Sequence, residues 1–213
     1  MKPHQTVTPN SWAFLNEPMI APTGFREYDA RWRFPEEINL PGMQAFGLGL
    51  GTQLHESGEK PVIAVGNDYR DYSLAIKQAL IIGLMQAGVE VRDIGTALSP
   101  MAYFAGLKLG CAVAMVTASH NPNGWTGVKI GFRMPLTHGP EEMARLRDIV
   151  LGGEGVARPG GSLIREEGIR AAYLDDLAGD FRMTRPLRAV VATGNGTASA
   201  FAPELLTRIG VEV

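Results

Sequence analysis

The chain has one cysteine, Cys111, so no intrachain disulfide can form; set in an apolar run, it reads as a buried structural thiol rather than a reactive one. No stretch approaches the roughly 20 apolar residues that a bilayer-spanning helix needs. The first twenty residues also lack the continuous apolar region of a secretory signal, so the sequence predicts a cytoplasmic protein with no membrane partner. There is no basic excess: 20 Lys and Arg stand against 22 Asp and Glu, a formal charge of -2 that offers nothing to a nucleic acid. The G-x-S-x-G pattern of strand-to-helix serine hydrolases is missing. Gly47-Leu48-Gly49-Leu50-Gly51 fails the G-x-G-x-x-G spacing of a dinucleotide loop, and no strand leads into it. Residues 41–55 read instead as a helix whose glycines permit close packing. What remains is a globular composition, 45% hydrophobic and 20% charged, with ample material for a core.

The order of elements predicts an α/β fold with a mixed, mainly parallel sheet layered with helices. Residues 62–65 form a short apolar strand ending at Gly66. Ser73 is placed to cap a helix in which Leu74, Ile76, Leu80, Ile81, Leu84 and Met85 recur at helical spacing until Gly88. Residues 89–94 alternate like a strand, Ser99-Pro100 caps a helix reaching Leu109, and residues 111–116 form a continuous apolar strand. This β-α-β-α-β order implies right-handed crossovers. Residues 141–150 predict a further helix with Leu146, Ile149 and Val150 turned inward. The glycine-rich stretch from Gly152 to Gly161 reads as a linker, dividing residues 1–160 from 161–213. The second part would hold a helix over 169–181, a strand over 187–192 and a helix over 198–209. Gly210-Val211-Glu212-Val213 repeats the helix-to-strand step of Gly88-Val89-Glu90-Val91, so the chain is expected to stop early in a second, similar α/β domain.

The chemistry concentrates in Thr117-Ala118-Ser119-His120-Asn121-Pro122. Fed by the 111–116 strand and followed by the turn formers Asn123-Gly124, this segment presents Ser119 at the C-terminal end of a core strand, where open α/β sheets place ligands. Gly127-Val128-Lys129-Ile130 then carries a lysine into the next apolar stretch. A serine nucleophile needs a base within reach, but neighbours on an extended chain point apart, so His120 is poorly placed to serve Ser119. Turn amides, a hydroxyl and a cation suit an anion, leaving two readings of the residues: phosphoryl chemistry or a plain polar surface loop.

Thr117-Ala118-Ser119-His120-Asn121-Pro122, with Asn123-Gly124-Trp125-Thr126-Gly127-Val128-Lys129, resembles the phosphoserine loop of the α-D-phosphohexomutases, most of all the bacterial phosphomannomutase/phosphoglucomutase group. Phe25-Arg26-Glu27-Tyr28-Asp29-Ala30-Arg31 is similar to the family's F-R-x-Y-D-x-R signature, although Trp32 stands where glycine is usual and could divert the loop path. Val65-Gly66-Asn67-Asp68-Tyr69-Arg70 resembles its G-R-D-x-R segment, with Asn67 in place of arginine. Val190-Val191-Ala192-Thr193-Gly194-Asn195-Gly196 resembles the segment that opens its second domain.

The resemblance implies an enzyme that interconverts hexose 6-phosphate and hexose 1-phosphate through a hexose bisphosphate, the phosphoryl group shuttling by way of Ser119. It implies catalytic roles for Ser119, His120 and Lys129, and substrate contacts for Tyr28, Arg31 and Asn121. It also implies a Mg²⁺ ion ligated by the Ser119 phosphoryl oxygen, with the remaining ligands in segments this chain lacks. The fragment alone is then expected to be inactive. The alternative is a non-catalytic α/β module that binds phosphate, or a decayed fragment. Taken singly, the residues have plainer readings: His120 as a turn residue, Lys129 as a solvated strand-end cation, Tyr28 and Arg31 as anchors of the N-terminal segment. Asp68 and Arg70 read as residues that order the loop after their strand. His4, His55 and His138 match no motif and are expected at the surface.

Overall fold

The computed structural model describes residues 16–181 and 183–213. His4 lies outside the described residues. Among the described residues there are eight strands and six α-helices, and the strands fall into two sheets. The six-stranded sheet is built from β1 (Ala30–Arg33), β2 (Val62–Asn67), β3 (Glu90–Thr96), β4 (Ala112–Val116), β5 (Trp125–Gly131) and β6 (Ser162–Arg165). Its spatial order is β1-β5-β4-β2-β3-β6. β4, β2, β3 and β6 pair in parallel, whereas β5 runs antiparallel to both β4 and β1. The expected mixed, mainly parallel α/β sheet is therefore present.

Alternation along the central strands divides the core into two. Ile63 and Val65 of β2, with Ala114 and Val116 of β4, join one cluster; Ala64 of β2, with Val113 and Met115 of β4, joins the other. The first is covered by α1 (Leu40–Glu56), α2 (Ser73–Gln86) and α4 (Pro140–Gly152). The second is covered by α3 (Ser99–Leu109) and α5 (Ile169–Ala178), with Phe201 at its margin. The glycines of α1 do what the sequence predicts: a Cβ on Gly47 would lie 2.3 Å from the Leu80 carbonyl oxygen of α2, so only glycine admits so close a crossing.

The chain runs from β2 through α2 to β3 on one side, then through α3, on the opposite face, to β4 on the other side of β2. The carboxyl ends of β2 and β4 thus flank a topological switch point, the crevice where such sheets bind ligands.

Local details depart from expectation. Ser73 does not cap α2; it is the first helical residue, and its hydroxyl donates to Asp68 Oδ1 at 2.6 Å because a buried carboxylate outcompetes the helix's own amides. Ser99 likewise lies inside α3, after the N-cap Leu98. In α2, Ile76, Leu80, Ile81 and Leu84 are buried while Leu74 is exposed. β6 begins just past the glycine-rich stretch and pairs with β3, so a division at residue 160 sets this strand apart from the sheet whose edge it forms. β7 (Leu187–Arg188) and β8 (Val211–Glu212) make a separate parallel pair, and β7 is far shorter than the 187–192 strand expected. The helix expected over 198–209 splits into a 3-10 turn, Thr197–Ala200, and α6 (Ala202–Arg208).

Trp32 needs a different account from the sequence one. It lies in β1 rather than a loop, fully buried, stacking edge-on against Phe25 and Phe46 with centroids 5.3 and 5.5 Å away, and its indole N–H donates to Ala21 O. Gly24 makes room beneath it, since a Cβ there would lie 1.9 Å from the indole nitrogen. The strand's alternation places Trp32 in the core and Arg31, its neighbour, toward the loop after β4. His138 is also not at the surface: it is 3% exposed. Its ring packs edge-on to Phe132 and meets Gln53 Oε1 at 3.1 Å, while Gln53 Nε2 donates to the Glu142 carbonyl at 2.7 Å. Burial holds the imidazole neutral, pulling its pKa down to about 4, although Glu142 acts in the opposite sense. His55 is half-buried against the Ala87 carbonyl, and Cys111 is buried as expected, its thiol pushed up by desolvation.

Candidate active site

Ser119 is the only described non-glycine residue with positive φ, 56°, a left-handed conformation that costs an L-residue energy and must be held by its surroundings. The holding begins at Asp68, directly after β2 and 4% exposed. Asp68 Oδ2 accepts from the Thr117 hydroxyl at 2.9 Å, and the Thr117 oxygen in turn accepts from the Ser119 amide at 3.0 Å. A carboxylate therefore reaches the serine backbone through one hydroxyl. Arg70 pairs with Asp68 and extends its other arm to the loop, donating to the carbonyls of Asn121 at 2.7 Å and Ser119 at 3.3 Å. The expected loop-ordering role of Asp68 and Arg70 is thus seen, but the loop they order includes the serine loop on the neighbouring strand.

Two further tethers act at the edges. Arg31 Nη1 donates to Asn121 Oδ1 at 3.0 Å and approaches the Ala118 carbonyl at 3.4 Å. At the far end, the Tyr72 hydroxyl donates to Trp125 O at 2.9 Å and accepts from Gly124 N at 2.8 Å, while Phe34 N donates to Gly124 O. Tyr72 is steadied by stacking on Phe34, and desolvation raises its pKa, so it remains a neutral donor. Gly124 takes φ +89°, which a turn squeezed between these partners requires and glycine adopts without strain.

Within this frame Ser119 and His120 are exposed. The Ser119 hydroxyl lies 3.5 Å from His120 Nδ1, the outer limit of a hydrogen bond, so the histidine is not a closely engaged base. Ser119, His120 and Asn121 line a cleft of about 570 Å³ with Thr117, Arg70 and Tyr69. Its other wall comes from Asn195, Gly196 and Thr197, joined to the β2 side by a Tyr69 N–H donated to Thr197 Oγ1 at 3.1 Å. The sequence reading missed this wall and the tethers from Thr117 and Tyr72. The available signal was positional: polar residues placed immediately after apolar strands.

Lys129 and Arg31 approach from the β1–β5 side. Both face Asp29, which is 8% exposed: Arg31 Nε and Nη2 lie 2.9 and 2.8 Å from Asp29 Oδ2, and Lys129 Nζ lies 3.7 Å from the same oxygen. Of the six expected site residues, Ser119, His120 and Asn121 share one loop and Arg31 reaches it through Asn121, whereas Lys129 is joined to that loop only by way of Asp29 and Arg31. Tyr28 does not join them; it is 62% exposed, and among the described residues no hydrogen bond links it to the serine loop. The site carries hydroxyls and cations set against carboxylates, with Asp71 also lining the cleft and Asp68 already engaged by Ser73, Thr117 and Arg70. Such a set suits a phosphoryl group. It does not suit a metal ion by itself, and among the described residues no group of three or more His, Cys, Asp or Glu could hold one.

Comparison with known proteins bears on the fold and the family. Residues 22–154 match the family profile described as phosphoglucomutase/phosphomannomutase, alpha/beta/alpha domain I. A phosphomannomutase/phosphoglucomutase from Pseudomonas syringae pv. tomato is 32% identical over 197 residues, covering 92% of this chain and 42% of that protein. A probable phosphoglucosamine mutase from Pyrococcus abyssi is 32% identical over 171 residues, 78% of this chain and 37% of that protein. The crystal structure of a phosphoglucomutase/phosphomannomutase family protein from Burkholderia thailandensis superposes with a TM-score of 0.82 at 28% identity, covering 91% of this chain and 43% of that one. The chain thus spans less than half the length of the relatives it matches.

Proposed function

The chain belongs to the phosphoglucomutase/phosphomannomutase family, and from that premise we propose that it carries the phosphoryl-bearing serine, Ser119, of a phosphohexomutase acting on hexose phosphates such as those of mannose and glucose. The observation that carries this reading is the exposed Ser119 hydroxyl, held in a strained backbone conformation at the switch point by Thr117, Arg70 and Asp68. Strain maintained by so many partners belongs where a side chain must be aimed.

The phosphoryl group on Ser119 passes to the free hydroxyl of a hexose monophosphate, breaking the serine ester P–O bond and giving a hexose bisphosphate. The bisphosphate turns over, and its other phosphoryl group returns to Ser119, so the phosphoryl count is conserved and no water is consumed. Arg31, with its planar guanidinium, steadies phosphate oxygens beside Asn121. Lys129 offsets charge on the transferring group and exchanges a proton with the reacting hydroxyl. His120 orients the phosphoserine from 3.5 Å. The Mg²⁺ that the resemblance implies would find one ligand here, the phosphoryl oxygen on Ser119. The other side chains at the loop do not form a metal shell, so each step above uses this chain's residues alone.

The test is to incubate the purified chain with hexose 1,6-bisphosphate and follow it by ³¹P NMR. A protein-bound phosphomonoester resonance is expected, absent in Ser119→Ala. The same chain should show no sustained mutase turnover, since it spans only 42% of its relatives' length. No label on the wild-type protein would sink the assignment of Ser119.

A further inference from the structure

Within the phosphoryl-site reading, we propose that Asp29 is a positioning residue that acts as an internal counter-ion. It holds the place of the phosphoryl group by engaging both cations while the site is empty, and it yields Lys129 when the anion arrives.

Both cations converge on one oxygen atom. Asp29 Oδ2 takes two short contacts from Arg31, at 2.9 and 2.8 Å, and a longer one from Lys129 Nζ, at 3.7 Å. The carboxylate is largely withdrawn from water, with its side chain 12% exposed, whereas Lys129 is 27% exposed. The two cations are therefore held unequally. Arg31 is fixed by its paired bonds to Asp29 and by Nη1, which reaches Asn121 Oδ1 and the Ala118 carbonyl on either side of Ser119. Lys129 has Asp29 as its one ion-pair partner among the described residues, at a distance where the attraction is weakest. A phosphoryl dianion at Ser119 outbids a single carboxylate for a lysine on a flexible four-carbon stem. Lys129 is the movable cation, Arg31 the fixed one.

The charges support the same picture. Arg31, Lys129 and Arg70 face Asp29 and Asp68, so the empty site is nearly neutralised from within. Without Asp29, Arg31 at the serine loop and Lys129 behind it would both stand uncompensated, and an incoming anion would meet no competitor. A residue serving only to hold the fold together has the opposite consequence, because its loss loosens the site and weakens anion binding.

The sign of one effect therefore decides. Inorganic phosphate is titrated into the full 213-residue chain at low ionic strength, and the amide resonances of the serine loop report the dissociation constant. Asp29→Asn is expected to bind phosphate about threefold to tenfold more tightly than wild type, with the gain falling as salt is added. Asp29→Glu, which keeps the charge, should restore wild-type affinity. In a Lys129→Met background, Asp29→Asn should lose most of its gain, since the released cation is gone. Unchanged or weaker binding by Asp29→Asn that retains a cooperative melt overturns the proposal. Should neither wild type nor Asp29→Asn bind phosphate, the phosphoryl reading of the site fails with it. Binding by wild type with no gain in the variant defeats the counter-ion role alone.

Discussion

At its start β5 meets the serine loop, and at its end it leads to His138, and the two ends treat polar side chains in opposite ways. At the first, Ser119 and His120 stand exposed, while the groups that hold them, Asp68 above all, are buried and bonded. At the second, a histidine expected at the surface is itself enclosed, with its imidazole edge-on to Phe132 and joined to Gln53. A buried histidine is held neutral by desolvation. A serine of ordinary chemistry, aimed outward by a rigid frame, has gained a role. Burial and partners, more than residue type, separate a site from a core.

Substitutions can break this contrast, and they differ in scale. Ser119→Ala should remove phosphoryl acceptance altogether while leaving the melting temperature nearly unchanged, because the hydroxyl is exposed; intact-mass measurement and thermal unfolding check both parts. Arg70→Ala strips the buried Asp68 of its cation, leaving it only Ser73 and Thr117, and frees two loop carbonyls. It should cost about 4 kcal/mol in urea unfolding and slow labelling of Ser119.

The buried end is probed by pH. The imidazole's folded pKa of about 4 lies below its ordinary 6.5, so the unfolded chain takes up the proton first. The stability His138 supports is complete above pH 6.5 and is lost as pH falls toward 4, by up to about 3 kcal/mol. Urea titrations across that window should show the loss, and His138→Gln should flatten it. Smallest is Tyr72→Phe, which removes two hydrogen bonds from Gly124 and Trp125. A loss of about 1–2 kcal/mol is expected, with faster amide exchange at Gly124 than in β5, which follows it.

The contrast also marks what the sequence could reveal. Residues 111–116 and 62–65 are continuously apolar because both their faces are covered, and that signal is local. The serine loop was legible for the same reason, as a polar segment at the end of such a strand. The glycines of α1 were legible through a spacing that fails the G-x-G-x-x-G of a dinucleotide loop. β6 was hidden because an edge strand with exposed Leu163 and Ile164 has no burial pattern to display. His138 was misjudged because its enclosure comes from Gln53, 85 residues earlier in the chain. Ser73 looked like a cap because its competing partner, Asp68, becomes visible only once the β2 loop folds back. Arg70 was read as a local ordering residue, and its reach to Asn121 depends on β2 and β4 lying side by side.

The most direct test of the account is to map the phosphorylated residue after the chain is incubated with hexose 1,6-bisphosphate, by mass spectrometry of its peptides. The account predicts one phosphoryl group per chain, on Ser119 and on no other serine, and none on Ser119→Ala. A label on another residue, or an unlabelled wild-type chain with its serine loop intact, would contradict it.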